Sequence, residues 1–359
     1  MRHPFLPSGI LAIVCALLAG ATAAQAAIAT WVSGTGTDAG NCPVTAPCRT
    51  FAFAHDQTNN NGTINVLSSG NFGPLTITKP ISIVADGVEA VVNSGANGAG
   101  IVVQAGAAAI VSLRGLTIDL RGTDNIGISF VSGAALHLHH SVIRRTNRGI
   151  LFAPASGTSE LHIADSLIAN SGSIGLLVLP SGSGGAMVVL DRVRVENADV
   201  HGMVFQGNNT TGSITATVRD SVSAGNGGQG IFAVEAGAGT TTVMIDRSAA
   251  VSNGIGLFAT GAGATIRIGN STVSGNTQRG LLVSNSGLIP SYRTNKVDGN
   301  GTDGDPTGTI VLKRAAGRAS HARAWRWQVA QMSTALLIAN GRVFPCEGRL
   351  SAGIGLLPR

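Results

Sequence analysis

The sequence predicts an all-β fold: a single-stranded, right-handed parallel β-helix with three strands per coil and about 22–28 residues per coil. Two observations carry this prediction. Short segments of alternating apolar residues recur along the chain, each followed by turns rich in asparagine, serine and glycine. No long stretch before residue 314 shows the 3.6-residue apolar period of a helix. An N-terminal cap is expected before the β-helix and a poorly packed tail after it.

Six aligned units show the repeat. The first is residues 136–143, and the equivalent segments begin at residues 161, 188, 216, 243 and 266. Each is followed by an asparagine of a predicted turn ladder: Asn147, Asn170, Asn197, Asn226, Asn253 and Asn276. Each also has a glycine further on: Gly149, Gly175, Gly202, Gly230, Gly256 and Gly280. The glycines are 26, 27, 28, 26 and 24 residues apart. A β-propeller, the alternative fold, needs a repeat of roughly 40 residues.

The repeat has a physical reason. A coil of three short strands cannot bury its own apolar face, so stacked coils share one core and pair in parallel, about 4.8 Å apart. Asparagine tolerates the left-handed backbone region, so the asparagine column predicts tight bends. Glycine adopts positive φ freely, so the glycine column predicts a second set of turns.

A column of charged residues precedes the serine position of each repeat. Its members are His140, Asp165, Arg192, Asp220, Arg247 and Asn270. The sign alternates from residue 165 to residue 247, which predicts outward side chains that pair from coil to coil. Each exposed pair contributes under about 1 kcal/mol. Arg192 and Asp220 are therefore expected on one face, at the distance of adjacent strands.

The ends of the chain depart from the repeat. Residues 1–26 have the basic start, apolar run and small-residue cleavage site of a secretory signal peptide. Secretion, or a periplasmic or cell-surface location, is therefore expected, with no membrane span after cleavage because the apolar run is too short. Residues 27–61 are expected to form the N-terminal cap and residues 62–312 the β-helix. Residues 313–359 form an atypical basic tail, either disordered or helical.

The cap region contains Cys42 and Cys48 in a short loop with two prolines. In an exported protein this loop predicts a disulfide, and a metal-binding pair is the alternative. Residues 51–57 are expected to form a short helix over the open end of the β-helix, because such an end exposes core and unpaired strand edges.

The net charge of +6 is unevenly placed. Residues 313–359 hold eight lysines and arginines against one acidic residue, which leaves the remaining chain at 16 basic against 17 acidic residues. A nearly neutral body argues against a nucleic-acid partner. The tail also carries a helical stretch at 325–337. A weakly ordered extension and a basic, aromatic membrane- or nucleic-acid-binding segment are both open for it.

Several segments resemble a known family. They are residues 31–36, 46–51, 63–67, 75–79, 113–119 and 275–276. On these segments the chain resembles a widespread family of exported bacterial right-handed β-helix proteins in the pectin-lyase-like superfamily, known mostly by their fold. The resemblance spans residues 29–313 and implies the fold and export. It implies no activity, because function depends on a site rather than on a fold.

Many relatives in that superfamily cut or epimerise acidic polysaccharides, so the resemblance makes an enzyme worth testing. The Asn-Thr-Asp and Asp-Asp motifs of its hydrolases do not occur in this sequence. Asp119, Arg144 and His139 are the candidate catalytic residues. The structural alternatives are a salt bridge between Asp119 and Arg144 and a solvated strand face that bears His139. Asp303 and Asp305 are candidate cation ligands, with a simple turn as the alternative.

These patterns favour an exported, non-catalytic protein that binds glycan or serves as a surface or envelope element. The alternative is a polysaccharide lyase, hydrolase or epimerase that acts on an acidic polysaccharide. No cofactor and no resident metal are expected. The expected partner is a polysaccharide or cell-envelope glycan, and the expected state is a monomer.

Overall fold

The computed structural model of the chain describes residues 27–93, 98–121 and 125–312, with the backbone of residues 338–339 and 342–343. The expected signal peptide, the helical stretch at 325–337 and most of the basic tail lie outside these residues. Strands Ile338–Ala339 and Arg342–Val343 pair antiparallel with each other. Among the described residues no helix is both long and apolar enough to cross a bilayer.

Three parallel sheets form the β-helix, and each coil visits sheet 1, sheet 2 and sheet 3 in that order. In the described chain sheet 1 contains Ala27–Val32, Thr58–Val66, Ile81–Val84, Ile110–Arg114, Ala135–His139, Thr158–Ala164, Gly185–Asp191, Ser213–Arg219, Thr240–Asp246, Ala264–Gly269, Pro290–Ser291 and Gly308–Thr309. Sheet 2 contains Gly70–Asn71, Ala90–Val92, Leu116–Asp119, Val142–Arg144, Leu167–Ala169, Arg194–Glu196, Val222–Ala224, Ala249–Val251, Thr272–Ser274 and Lys296–Asp298. Sheet 3 contains Leu75–Ile77, Ala99–Gln104, Ile126–Ser132, Arg148–Phe152, Ile174–Val178, His201–Gln206, Gln229–Val234, Ile255–Thr260 and Arg279–Ser284. The predicted right-handed parallel β-helix is confirmed.

Alternation along each strand separates the core from the outer surface. In strand Ala135–His139 the side chains of Leu136 and Leu138 are fully buried, whereas the two histidines are partly exposed. Equivalent inward residues stack from coil to coil. Phe130 and Phe152, for example, stack with ring centroids 4.3 Å apart. Stacked in this way, the inward residues form a continuous ladder of apolar side chains. Full burial of one such side chain contributes about 1.5–3 kcal/mol to stability.

The turn from sheet 1 to sheet 2 takes two residues in the central coils. The first of the two has a φ between 46° and 53° in the charged column: His140, Asp165, Arg192, Asp220, Arg247 and Asn270. The left-handed region is several-fold enriched in Asn, Asp and His but is unusual for arginine. The predicted charge column is therefore also a column of left-handed corner residues, which sends the side chains outward.

The asparagine column differs from the prediction of a single set of left-handed bends. Asn170 and Asn197 have a φ of 54°. Further along, the left-handed position belongs to Gly225, Ser252 and Gly275. The asparagine follows that residue in these later coils and points inward. The reason is that the turn from sheet 2 to sheet 3 varies in sequence, so the repeat's asparagines do not all occupy one structural position.

The glycine column is not a set of turns, which corrects the prediction. These glycines lie within or at the start of sheet 3 strands, and the structure gives none of them a positive φ. They are needed because the next coil approaches closely. A Cβ on Gly149 would lie 2.4 Å from the carbonyl oxygen of Gly175 and 2.4 Å from Cγ2 of Ile168.

A short helix and a disulfide-bonded loop lie at the N-terminal end of the β-helix. Helix Phe51–Gln57 begins after Thr50, whose hydroxyl accepts a hydrogen bond from the N–H of Phe53 at 3.2 Å. Such an N-cap contributes about 1 kcal/mol. Cys42 and Cys48 are joined by a disulfide in the structure. Residues 27–61, the predicted cap region, include strand Ala27–Val32, which pairs in parallel with Thr58–Val66.

Candidate functional site

Asp119 ends strand Leu116–Asp119 of sheet 2 and binds two arginines of the next coil. Arg144, its register partner in the next coil, donates from Nε to Oδ2 at 3.0 Å. Arg145 donates from Nε to Oδ1 at 2.7 Å and bonds Oδ2 with a terminal nitrogen. These hydrogen bonds hold the pKa of the Asp119 carboxyl below its ordinary value, and the bond from Arg145 has the largest effect. Burial of the carboxyl opposes the shift. Asp119 and Arg144 form the salt bridge that was the structural alternative to a catalytic role, and Arg145 is a second partner that was not predicted.

The substitution Asp119→Asn is expected to lower the free energy of unfolding by about 1 kcal/mol at neutral pH, a small effect because both guanidinium groups are nearly half exposed. A carboxyl with a depressed folded pKa stabilises the fold above its unfolded value of about 4, and the contribution disappears as pH falls through the folded pKa. The difference between wild type and variant should therefore shrink below pH of about 4. Urea unfolding at several pH values measures it.

The control for that experiment is Asp305→Asn, which removes one exposed carboxylate elsewhere on the surface. An Asp119→Asn difference that stays constant down to the lowest pH, or that is matched by the control, would contradict the linkage.

His139 lies on another sheet, away from Asp119 and Arg144. It shares the outer face of sheet 1 with His137 on its own strand and with His162, the register partner of His137 in the next coil. The centroids of His137 and His162 are 5.7 Å apart, and those of His137 and His139 are 6.4 Å apart. Partial burial, then repulsion between the rings, lowers the pKa of both His137 and His139. The structure thus brings together two of the three candidate catalytic residues and separates the third.

The charged column contains bidentate ion pairs between adjacent coils. Arg192 binds Asp165 through Nε at 2.5 Å and Nη2 at 2.9 Å, and Arg247 binds Asp220 through both of these nitrogens at 2.9 Å. Arg192 and Asp220 occupy equivalent corners of adjacent coils, because the residues before them are register partners. The carboxylates of Asp165 and Asp220 therefore have a structural role, because each binds an arginine of the next coil.

Asp303 closes a ladder of buried asparagines. Asn226 donates from Nδ2 to Oδ1 of Asn253 at 2.8 Å, and Asn253 donates in the same way to Asn276 at 3.1 Å. The ladder continues through Asn300, whose Nδ2 and backbone N–H both donate to Oδ1 of Asp303, at 2.8 and 3.0 Å. Those two bonds lower the pKa of the Asp303 carboxyl.

Asp305, the second candidate cation ligand, lies two residues further on and is exposed. The structure gives Asp303 a hydrogen-bonding role at the end of the ladder and shows no contact between Asp303 and Asp305. Among the residues that the structure describes, no three histidine, cysteine or acidic side chains converge on a point where a metal ion could be held.

Sequence reasoning missed a polar cavity of about 510 Å³ beside the N-terminal helix. It is lined by Asp56, Thr58, Asn59, Asn60 and Lys79. Lys79 donates from Nζ to the carbonyl oxygen of Thr58 at 2.6 Å, and desolvation lowers its pKa. The polar run at residues 56–61 was the available signal, but a sequence does not show which lysine of a later coil faces it.

A second missed feature is a fully buried acidic residue, Glu235. Its Oε1 accepts from the N–H of Gly237 at 2.8 Å and its Oε2 from the hydroxyl of Thr241 at 3.5 Å. A Cβ on Gly207 would lie 1.9 Å from Oε2, so the glycine in the preceding coil makes room for the carboxylate. By accepting hydrogen bonds from Gly237 and Thr241, Glu235 stabilises the loop between sheet 3 and sheet 1.

The outer face of sheet 1 carries two in-register runs of hydroxyl groups, each three coils long. One column contains Thr63, Ser82, Ser112, His137, His162, Val189, Thr217, Met244 and Arg267. The neighbouring column contains Thr215, Thr242 and Thr265 in three successive coils. These hydroxyl-bearing residues are exposed or half-buried. The face is mixed rather than acidic: the same columns also carry the apolar residues Ile110, Met187, Val189 and Met244, of which Ile110 and Met187 are about half exposed.

No protein-family model and no curated protein sequence matches the chain. Among solved structures it is similar to pectate lyase Pel9A, with a TM-score of 0.55 and 13% identity over 81% of this chain and 80% of that one. This similarity shows a shared parallel β-helix fold. Two weaker similarities have TM-scores below 0.5. ORF18 of Geobacillus virus E2 scores 0.33, at 13% identity over 71% and 55% of the two chains. The A-module of the Azotobacter vinelandii mannuronan C-5 epimerase AlgE6 scores 0.31, at 12% identity over 70% and 89%.

Proposed function

We propose that this protein is exported and binds a polysaccharide, without cleaving it, along the outer face of sheet 1. The observation that carries the proposal is two runs of hydroxyl side chains in register over three successive coils on that face: Thr63, Ser82 and Ser112, and Thr215, Thr242 and Thr265. The secretory pattern of residues 1–26 supports export. A glycan partner also fits the fold, which the chain shares with a pectate lyase.

The spacing of the coils suits an extended sugar chain. Strands of adjacent coils lie about 4.8 Å apart, close to the length of one pyranose unit in an extended polysaccharide. A chain laid along the β-helix axis therefore meets the next side chain of a column at each unit, and over the run Thr215, Thr242 and Thr265 that side chain is a threonine each time. A hydroxyl both donates and accepts hydrogen bonds, and a neutral imidazole has one donor and one acceptor, so both match sugar hydroxyls. The lowered pKa of His137 and His139 keeps these rings neutral at neutral pH.

The triple variant Thr215→Val, Thr217→Val and Thr242→Val is expected to weaken polysaccharide binding by about 10-fold or more. Valine keeps the branched shape and strand preference of threonine but removes a hydroxyl, and each lost hydrogen bond costs about 0.5–1.5 kcal/mol. A polysaccharide array identifies the ligand, and calorimetry on the best binder measures the affinity.

The matched control is Thr272→Val with Ser274→Ala, which removes two hydroxyls from the outer face of sheet 2. Failure of every polysaccharide to bind wild type, or an equal loss of affinity in the sheet 2 variant, would contradict the proposal.

The alternative function is a lyase, hydrolase or epimerase that acts on an acidic polysaccharide. It is favoured by the shared fold with a pectate lyase and by Arg144 and Arg145, whose guanidinium groups suit carboxylated sugars. A resident Ca²⁺ requires six to eight oxygen ligands. Such a site does not fit the described acidic residues, because several of their carboxylates are already paired with arginines. Unsaturated product from wild type, abolished in Arg144→Ala, would establish a lyase instead.

A further inference from the structure

The cavity of about 510 Å³ beside the N-terminal helix has the size of a small-molecule site. Asp56 lies in the last turn of that helix, Thr58, Asn59 and Asn60 belong to the strand that follows, and Lys79 precedes the sheet 1 strand of the next coil. Small-molecule sites span roughly 300–1,000 Å³ and are mostly apolar. Every residue that lines this cavity is polar or charged, so the cavity suits a strongly polar ligand.

A bulge in the strand presents the two asparagines to the cavity. The pairing of this strand with Ala27–Val32 shifts here, so that three extra residues are accommodated. A bulge bends its strand and changes the direction of its side chains. The N–H of Asn61 anchors the bulge by donating to the carbonyl oxygen of Pro80 at 2.7 Å. Within the described chain the side-chain amides of Asn59 and Asn60 make no hydrogen bond, which leaves both available to a ligand.

The two charged groups of the cavity are positioned by neighbouring residues and not by each other. The N–H of Thr78 donates to Nε2 of His55 at 3.3 Å, so the imidazole proton is on Nδ1. Nδ1 of this buried histidine donates to Oδ1 of Asp56 at 3.2 Å. Lys79 donates from Nζ to the carbonyl oxygen of Thr58 at 2.6 Å. Among the described residues no ion pair joins Asp56 to Lys79, so Oδ2 of the carboxylate and the other ammonium N–H groups are open to a ligand.

These open groups match the hydroxyl groups of a neutral sugar. A carboxylate and a side-chain amide each present two polar atoms side by side, which suits two adjacent hydroxyls of a pyranose ring. The amides both donate and accept, and the ammonium donates to a hydroxyl or to the ring oxygen. The formal charges of Asp56 and Lys79 cancel. A net anion would therefore meet the carboxylate and a net cation the ammonium, whereas a neutral ligand meets neither penalty.

We propose that this cavity binds one neutral sugar unit through Asp56, Asn59, Asn60 and Lys79. Binding here does not require the hydroxyl runs on the outer face of sheet 1, because none of their residues lines the cavity. The cavity is thus a second carbohydrate site, at the N-terminal end of the β-helix.

The test is a saturation-transfer NMR titration of the full chain with the methyl glycosides of glucose, galactose, mannose and N-acetylglucosamine. At least one of them is expected to bind, with an affinity at least about 10-fold weaker in Asp56→Asn and in Asn60→Ala, because each substitution removes hydrogen-bonding groups from the ligand. Asp56→Asn keeps an oxygen that can accept from His55, so the support behind it is retained. The matched control is Asn209→Ala, which removes an exposed amide outside the cavity and should bind like wild type.

Far-UV circular dichroism checks that the variants keep the β-fold. Absence of binding of all four glycosides to wild type overturns the proposal, as does unchanged binding by folded Asp56→Asn and Asn60→Ala. Galacturonate and glycine serve as anionic and zwitterionic probes, and tighter binding of either would contradict the choice of a neutral sugar. The triple threonine variant of sheet 1 should bind the glycoside like wild type even where it loses the polysaccharide, which separates the two sites. Loss of glycoside binding in that variant would place the sugar on sheet 1 and overturn the proposal.

Discussion

Replacing Gly149 with alanine is expected to destabilise the β-helix by about 3 kcal/mol, at the upper end of overpacking effects. The added Cβ would lie 2.4 Å from the carbonyl oxygen of Gly175 and 2.4 Å from Cγ2 of Ile168. Neither neighbour can yield easily. The carbonyl belongs to the next coil of sheet 3, and the Ile168 side chain is fully buried in the core. Urea unfolding followed by far-UV circular dichroism measures the loss.

The matched control is Gly106→Ala. An added Cβ there meets no atom within 4 Å, and its backbone has no positive φ. The control should be neutral or stabilising by about 0.4–1 kcal/mol, because alanine restricts the unfolded chain. Similar stability of the two variants would show that the glycine column is not set by the close approach of coils.

Gly149 also shows where sequence reasoning stops. The glycines recur at the coil period, so their alignment was predictable from the sequence alone. Glycine is required by a positive φ or by close approach of another backbone, and the repeat does not distinguish the two. The distinction depends on the distance between coils at that point, which only the structure supplies.

The pairing of Asp119 with Arg144 was accessible from the sequence for a related reason. Both residues end sheet 2 strands at equivalent positions, and in-register stacking follows from the alignment of two repeats. Arg145 was not accessible, because it occupies the left-handed turn, where the strand alternation no longer predicts direction. The cavity at Lys79 was hidden too, since it depends on how a helix outside the repeat packs against the first coils.

The same limit bears on function. Alternation and repeat length predict which residues face outward, and the hydroxyl columns on sheet 1 follow from them. They do not predict which outward side chains meet across a turn. His139 and Arg144 are five residues apart in sequence yet end on different sheets, because the corner at His140 lies between them.

Replacing Asn253 with alanine is expected to destabilise the protein by about 3 kcal/mol, since each buried polar group left unsatisfied costs about 1–3 kcal/mol. Oδ1 of Asn253 accepts from the backbone N–H of Asn226 at 3.1 Å and from its Nδ2 at 2.8 Å. Nδ2 of Asn253 donates to the carbonyl oxygen of Ser223 at 3.0 Å. The side chain is about 1% exposed, so water does not readily replace these partners.

The control is Asn209→Ala, because Asn209 is exposed and only its backbone carbonyl is hydrogen-bonded in the described structure. A double-mutant cycle then tests whether the ladder acts as a unit. In Asn226→Ala the Nδ2 donor of residue 226 is already absent. Adding Asn253→Ala to that variant therefore leaves fewer buried polar groups without a hydrogen-bond partner than the same substitution does in wild type. The combined loss should therefore fall short of the sum of the single losses by about 1 kcal/mol. Strict additivity would mean that each asparagine is satisfied within its own coil, and that Asp303 ends a row of independent turns rather than a continuous ladder.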